Sequence, residues 1–284
     1  MAKRPTSNHK PAPNPRTRAT KQVIPTLHEN VTAALQTLGI ALAPAALDAA
    51  LSAAEKESLS HLEFLHRLLA GPAEARLQRA LERRIAAAKF RELMTLEGFD
   101  WEFNAKGIDR RSIEQMATCD FVRRQENVIV VGQTGLGKSR IVQSVGHEAC
   151  VQGYRVRYAT SATLLQELTA ALADGTFNQT LAAFSRVDLL VIDEFGFDRL
   201  EREAHAQAST FYYRLLDART GRRSTVLVTN VDFTTWATYL ADPPLASAFL
   251  DRLVDGATIL KLSGRSYRAH RARPVATGES TDPE

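Results

Sequence analysis

The sequence predicts an α/β fold, a parallel sheet covered by helices on both faces, behind a small all-helical domain. Three observations carry this. From residue 127 onward, short apolar runs alternate with helical patterns. The first run, Val128-Ile129-Val130-Val131, leads into a glycine-rich turn and then into a helix-spaced set, Ile141, Val142, Val145 and Ala149. Residues 27–88, in contrast, are alanine-rich and helical in pattern throughout.

Residues 1–25 carry Pro5, Pro11, Pro13, Pro15 and Pro25 among basic and polar residues, a composition expected to form a flexible basic tail. A helical domain is expected over 26–89. Val31, Leu35 and Leu38 can line one face of its first helix, with Gly39 as a stop. Pro44 opens a second helix through Leu47 and Leu51. Ser60-His61-Leu62-Glu63 has the capping-box pattern of a third. Gly71-Pro72 is expected to interrupt it before a basic helix resumes with Arg76, Arg79, Arg83 and Arg84. Residues 90–126 read as a connector, with Leu96, Phe99, Trp101 and Phe103 as packing residues. The sheet domain spans 127–268, with strands at 128–131, 155–159, 189–192, 225–228 and 259–262, and a flexible tail follows over 269–284.

Gly132-Gln133-Thr134-Gly135-Leu136-Gly137-Lys138-Ser139 fits G-x-x-x-x-G-K-[ST] in its strand-turn-helix setting. Backbone amides there, through Arg140 at the helix start, can turn inward on phosphate oxygens, aided by the helix dipole. Lys138 can reach the β- and γ-phosphates of a bound nucleotide, and the Ser139 hydroxyl can ligate Mg²⁺. The strand at 189–192 is followed at once by Asp193 and Glu194. Carboxylates there are costly without a cation or water, which suits Asp193 to Mg²⁺ and Glu194 to activating water. Asn230, after the fourth strand, can sense the γ-phosphate and orient water. Arg252 can reach a neighbouring subunit's γ-phosphate or serve as a salt-bridged helix residue.

Net charge is +4, unevenly spread. Residues 1–22 hold six Lys/Arg and no acid, 67–91 seven against two, and 261–273 five against none, leaving the rest net acidic. Basic arms on an acidic core point to a polyanion such as nucleic acid. No apolar run reaches the roughly 18 residues of a membrane span, and the start lacks an apolar signal region, so no membrane partner and a cytoplasmic setting are expected. Cys119 and Cys150 read as reduced core thiols.

Together with Glu126-Asn127 before the first strand, Gly153-Tyr154-Arg155-Val156, Asp193-Glu194-Phe195-Gly196 and Ser266-Tyr267-Arg268, these motifs resemble the IstB-like transposition helper ATPases of the AAA+ superfamily, over roughly 55–268. DnaC-type helicase loaders are close relatives of that family. The resemblance implies an ATPase that forms a homo-oligomer on duplex DNA and hands a deformed site to a transposase. It implies Asn230 as first sensor and Arg252 as trans-acting arginine finger, with Arg265 and Arg268 both open as second sensor. The short stretch after the fifth strand leaves no room for a full helical lid. A helicase loader is the alternative role. A small-molecule kinase is disfavoured by the Asp-Glu pair, and a non-hydrolysing binding module by the intact Lys138, Asp193 and Glu194.

Overall fold

Four of the five strands are largely buried apolar runs, and the fifth, at the sheet's edge, alternates between exposed and buried residues. In a computed structural model, which describes residues 26–197, 207–232, 235, 236, 240 and 242–271, these runs are β1 (Val128–Gly132), β2 (Val156–Thr160), β3 (Leu189–Phe195), β4 (Ser224–Thr229) and β5 (Thr258–Leu262). They pair in the order β2-β3-β4-β1-β5, and every pairing is parallel. A parallel sheet needs cover on both faces. Helix α6 (Lys138–Val151), α4 (Arg110–Ala117) and α5 (Asp120–Arg123) close one face over Val128, Val130, Val191 and Val228. The other carries α7 (Ser161–Ala173), α8 (Phe177–Ser185), α9 (Ala208–Arg219) and α10 (Pro243–Val254) over Ile129, Ile192 and Leu227. After β5 the described residues add one short helix, α11 (Tyr267–Arg271).

Strand β3 departs from expectation. It runs past Ile192 to Phe195, so Asp193 and Glu194 lie within the strand rather than after it. Its pairing to β4 shifts register between Ile192 and Phe195, and Glu194 takes a φ of 60°. The Thr229 hydroxyl donates to the Phe195 carbonyl at 2.8 Å, which holds β3 to β4 beyond the irregularity.

The chain divides into two compact units, Met1–Arg76 and Leu77–Glu284. The first holds α1 (Leu27–Thr37), α2 (Pro44–Glu57) and the start of α3 (His61–Ala88). Thr26 and Glu29 form a reciprocal capping box on α1, and Ser60 and Glu63 form the expected one on α3. Gly71-Pro72 does not interrupt α3, which continues through Pro72. A proline forfeits one N–H and crowds the carbonyl four residues back, a local cost that a 28-residue helix rich in alanine absorbs. In this unit Leu47 and Leu68 are buried, while α1 buries no residue and Leu38 is 66% exposed. The expected tail over 1–25 lies outside the described residues, as does the C-terminal tail beyond 271. No helix among the described residues is long and apolar enough to cross a membrane.

Candidate functional site

Residues 133–137 must turn the chain from the end of β1 into α6 within five positions. Gly135 and Gly137 do this at φ of 87° and 82°, where a side chain is strained. A Cβ on Gly135 would overlap the Ser266 side chain, and one on Gly137 would stand 3.0 Å from Phe99. The connector and the segment after β5 thus press against the loop, and Tyr267 N donates to the Gly135 carbonyl at 2.9 Å. Helix α6 starts at Lys138, so its first-turn amides lack intrahelical partners and its positive dipole end faces the loop.

A cavity of about 320 Å³ opens here, within the size range of small-ligand sites. Thr134, Gly135, Leu136, Gly137, Lys138, Ser139 and Arg140 line it from the loop, with Asp193, Glu194 and Asn230 from the strand ends. Lys138 Nζ donates to the Gly132 and Gln133 carbonyls at 2.6 and 2.8 Å. Burial lowers its pKa, Asp193 opposes that shift, and the Arg268 charge adds to it. Asp193 is 1% exposed. Its Oδ2 accepts from the Tyr158 hydroxyl and its Oδ1 from the Glu194 amide, both at 2.8 Å. Each oxygen retains lone-pair capacity for a further partner. The Tyr158 hydroxyl is held protonated chiefly by burial, reinforced by the Asp193 charge.

Two residues join the site that sequence reasoning did not name. Tyr158 reaches Asp193 because β2 and β3 pair with Thr160 opposite Asp193, a register that no local pattern reports. Arg91 meets Glu194 at 3.2 Å from the segment after α3. That segment is fastened to α6: the Glu92 amide donates to Gln143, and Arg140 donates to the Thr95 and Glu97 carbonyls. The guanidinium of Arg140 also lies over Phe99.

The two second-sensor candidates separate. Arg268 lines the cavity, whereas Arg265 lies over the Phe103 ring, 5.0 Å from its centroid. Trp101 packs beside the core under Arg110. Arg252 is apart from the cavity: it donates to Asp217 at 2.8 Å and to the Tyr213 hydroxyl at 3.1 Å. Cys119 and Cys150 are buried free thiols, which burial pushes up to about 12 and about 11.

An ammonium, orphan helix-start amides, a hydroxyl and a buried carboxylate converging on one cavity form a donor set suited to a triphosphate and a divalent cation. The sequence profile of the IstB-like ATP-binding proteins matches residues 33–274. The chain belongs to that family. An IS21 insertion-sequence ATP-binding protein of Pseudomonas aeruginosa is 35% identical over 227 residues, covering 80% of this chain and 84% of the relative. An insertion-sequence ATP-binding protein of Mycobacterium tuberculosis is 31% identical over 246 residues, 86% of this chain and 95% of the relative. The crystal structure of DnaI superposes with a TM-score of 0.51 at 19% identity, over 64% of this chain and 94% of that one, and shares the fold. This IstB-like chain is therefore an ATP-binding protein built on a parallel five-stranded sheet.

Proposed function

We propose that this IstB-like chain hydrolyses ATP with Mg²⁺ in the cavity, assembles as a homo-oligomer on duplex DNA, and assists a transposase in insertion-sequence transposition. The observation that carries the reading is Asp193, a buried carboxylate oriented by two donors beside the phosphate loop. Lys138 and the loop amides bind the phosphates, and Ser139 and Asp193 hold the metal. Bound Mg²⁺ supplies charge neutralisation at the β- and γ-phosphates. Glu194 polarises the attacking water, and Asn230 orients it toward the γ-phosphate. The basic residues of 1–22 and 67–91 meet DNA phosphates, and the transposase role follows from relatives that belong to insertion sequences.

Arg252 acts in trans in this reading. Its partly exposed ion pair with Asp217 is a tether that a neighbour's γ-phosphate can displace. Duplex-stimulated ATP hydrolysis tests the whole. Lys138→Ala loses nucleotide binding, and Arg252→Ala binds ATP but does not hydrolyse it. Mixing the two restores part of the activity, because an intact phosphate site then faces an intact arginine. No recovery on mixing sinks the trans assignment, and hydrolysis by Arg252→Ala alone removes the finger altogether. Absence of duplex binding at low salt with ATP moves the helicase-loader role ahead.

A further inference from the structure

The five residues that precede each of β1, β2, β3 and β4 contain Arg123, Arg124, Arg155, Arg186, Arg222 and Arg223, besides the buried Arg219. Their acids are Glu126 and Asp188 alone. The five residues that follow β1, β2 and β4 contain no lysine or arginine, those that follow β3 and β5 contain one each, Arg199 and Arg265, and the five before β5 hold Asp255 and no arginine. Because the sheet is parallel, one edge collects these arginines and the opposite edge carries the nucleotide cavity.

Some of these arginines have a structural occupation. Arg219 donates to the Phe184, Ser185, Val187 and Ser224 carbonyls. Arg155 and Arg223 share Asp188, Arg124 holds Glu126, and Arg123 holds Asp120. Arg186 and Arg222 are exposed, and their guanidinium groups have no ion-pair partner among the described residues. A helix C-terminus favours a nearby cation by roughly 0.3–1 kcal/mol, which accounts for one arginine after α8 or α9 but not for the set. Arg123, Arg222 and Arg223 also line a cleft of about 380 Å³ with Gln125, Tyr154 and the Asp188 carboxylate, so three guanidinium groups face one acid there.

We infer that this arginine edge is a contact surface for the phosphate backbone of duplex DNA, distinct from the nucleotide cavity. The inference rests on the duplex-binding reading above. The guanidinium fork matches phosphate oxygens two at a time. Four neighbouring strands at about 4.8 Å spread the arginines over roughly 14 Å. That is too wide for one phosphate and suits several in succession along a DNA strand, whose rise is about 3.4 Å per nucleotide.

The test is duplex binding by the full chain with ATP, followed by anisotropy across a salt series. Replacing Arg123, Arg186 and Arg222 together by glutamine should lower the slope of log K against log salt by about 2–3, at ~0.9 per lost phosphate contact. The same three positions as lysine should recover most of the slope. Nucleotide affinity and melting temperature should match wild type, because all three side chains are exposed. Arg222→Gln alone, expected to lower the slope by about 1, keeps the question answerable if the triple variant folds poorly. An unchanged slope in Arg222→Gln and the triple variant overturns the inference. If deleting residues 1–22 lowers the slope in the same assay, duplex binding then stands without this edge. If wild type itself binds no duplex at low salt, the duplex reading falls and this inference with it.

Discussion

The two edges of the sheet are built from the same strands and treat polar groups in opposite ways. At the edge where strands begin, the buried polar groups are saturated. Arg219 alone satisfies four carbonyls, and Asn127 bridges β4 to the end of α10 through the Thr225 amide and the Leu253 carbonyl. At the edge where strands end, Lys138, Ser139, Asp193 and Asn230 keep bonding capacity in reserve, and the backbone is strained at Glu194. One edge secures the fold, and the other spends some of that stability on poised groups.

The sharpest way to break this contrast is at Arg219. Arg219→Ala leaves several buried carbonyls without a donor, an expected loss of about 3–5 kcal/mol in denaturant unfolding. A loss below about 1 kcal/mol would mean that the strand-start edge does not depend on it. At the other edge, Glu194→Gln should leave ATP affinity and folding stability near wild type. Phosphate release should fall by roughly 10²-fold, about 2.7 kcal/mol in the barrier. Parallel loss of binding would place Glu194 among the ligand-holding groups instead. Tyr158→Phe sits between the two and is the smallest. It strips a donor from a buried carboxylate, so stability should fall by about 1–2 kcal/mol. Nucleotide affinity should weaken with Mg²⁺ present and not in EDTA. Equal weakening in both conditions would show that Tyr158 orients no metal ligand.

Legibility in the sequence divides along similar lines. The strands were readable because buried parallel strands are apolar on both faces, as 128–131 and 189–192 are. The phosphate loop was readable because its glycines, lysine and serine are contiguous. What escaped depends on register or on distant packing. Tyr158 stands 35 positions before Asp193 and Arg91 103 positions before Glu194, so only assembly of the sheet and its connector reveals either pair. Arg265 and Arg268 differ by three positions, and only the folded structure, with Phe103 under Arg265 and the cavity beside Arg268, tells them apart. Strand β3 is longer than its apolar run because Tyr158 and the Glu194 amide make Asp193, an acid of the kind that ordinarily ends a strand, tolerable inside one.

Glu194 itself has a consequence for how this protein could be altered. Its left-handed backbone disfavours any residue with a Cβ by about 1–2 kcal/mol, a cost that glycine escapes and asparagine eases. Random mutagenesis screened for heat resistance should therefore enrich Glu194→Gly, which relaxes the chain while removing the carboxylate. With Glu194 as the water-polarising group of the proposed function, thermal robustness and turnover are opposed at a single codon, and directed evolution of this chain then needs an activity filter from its first round.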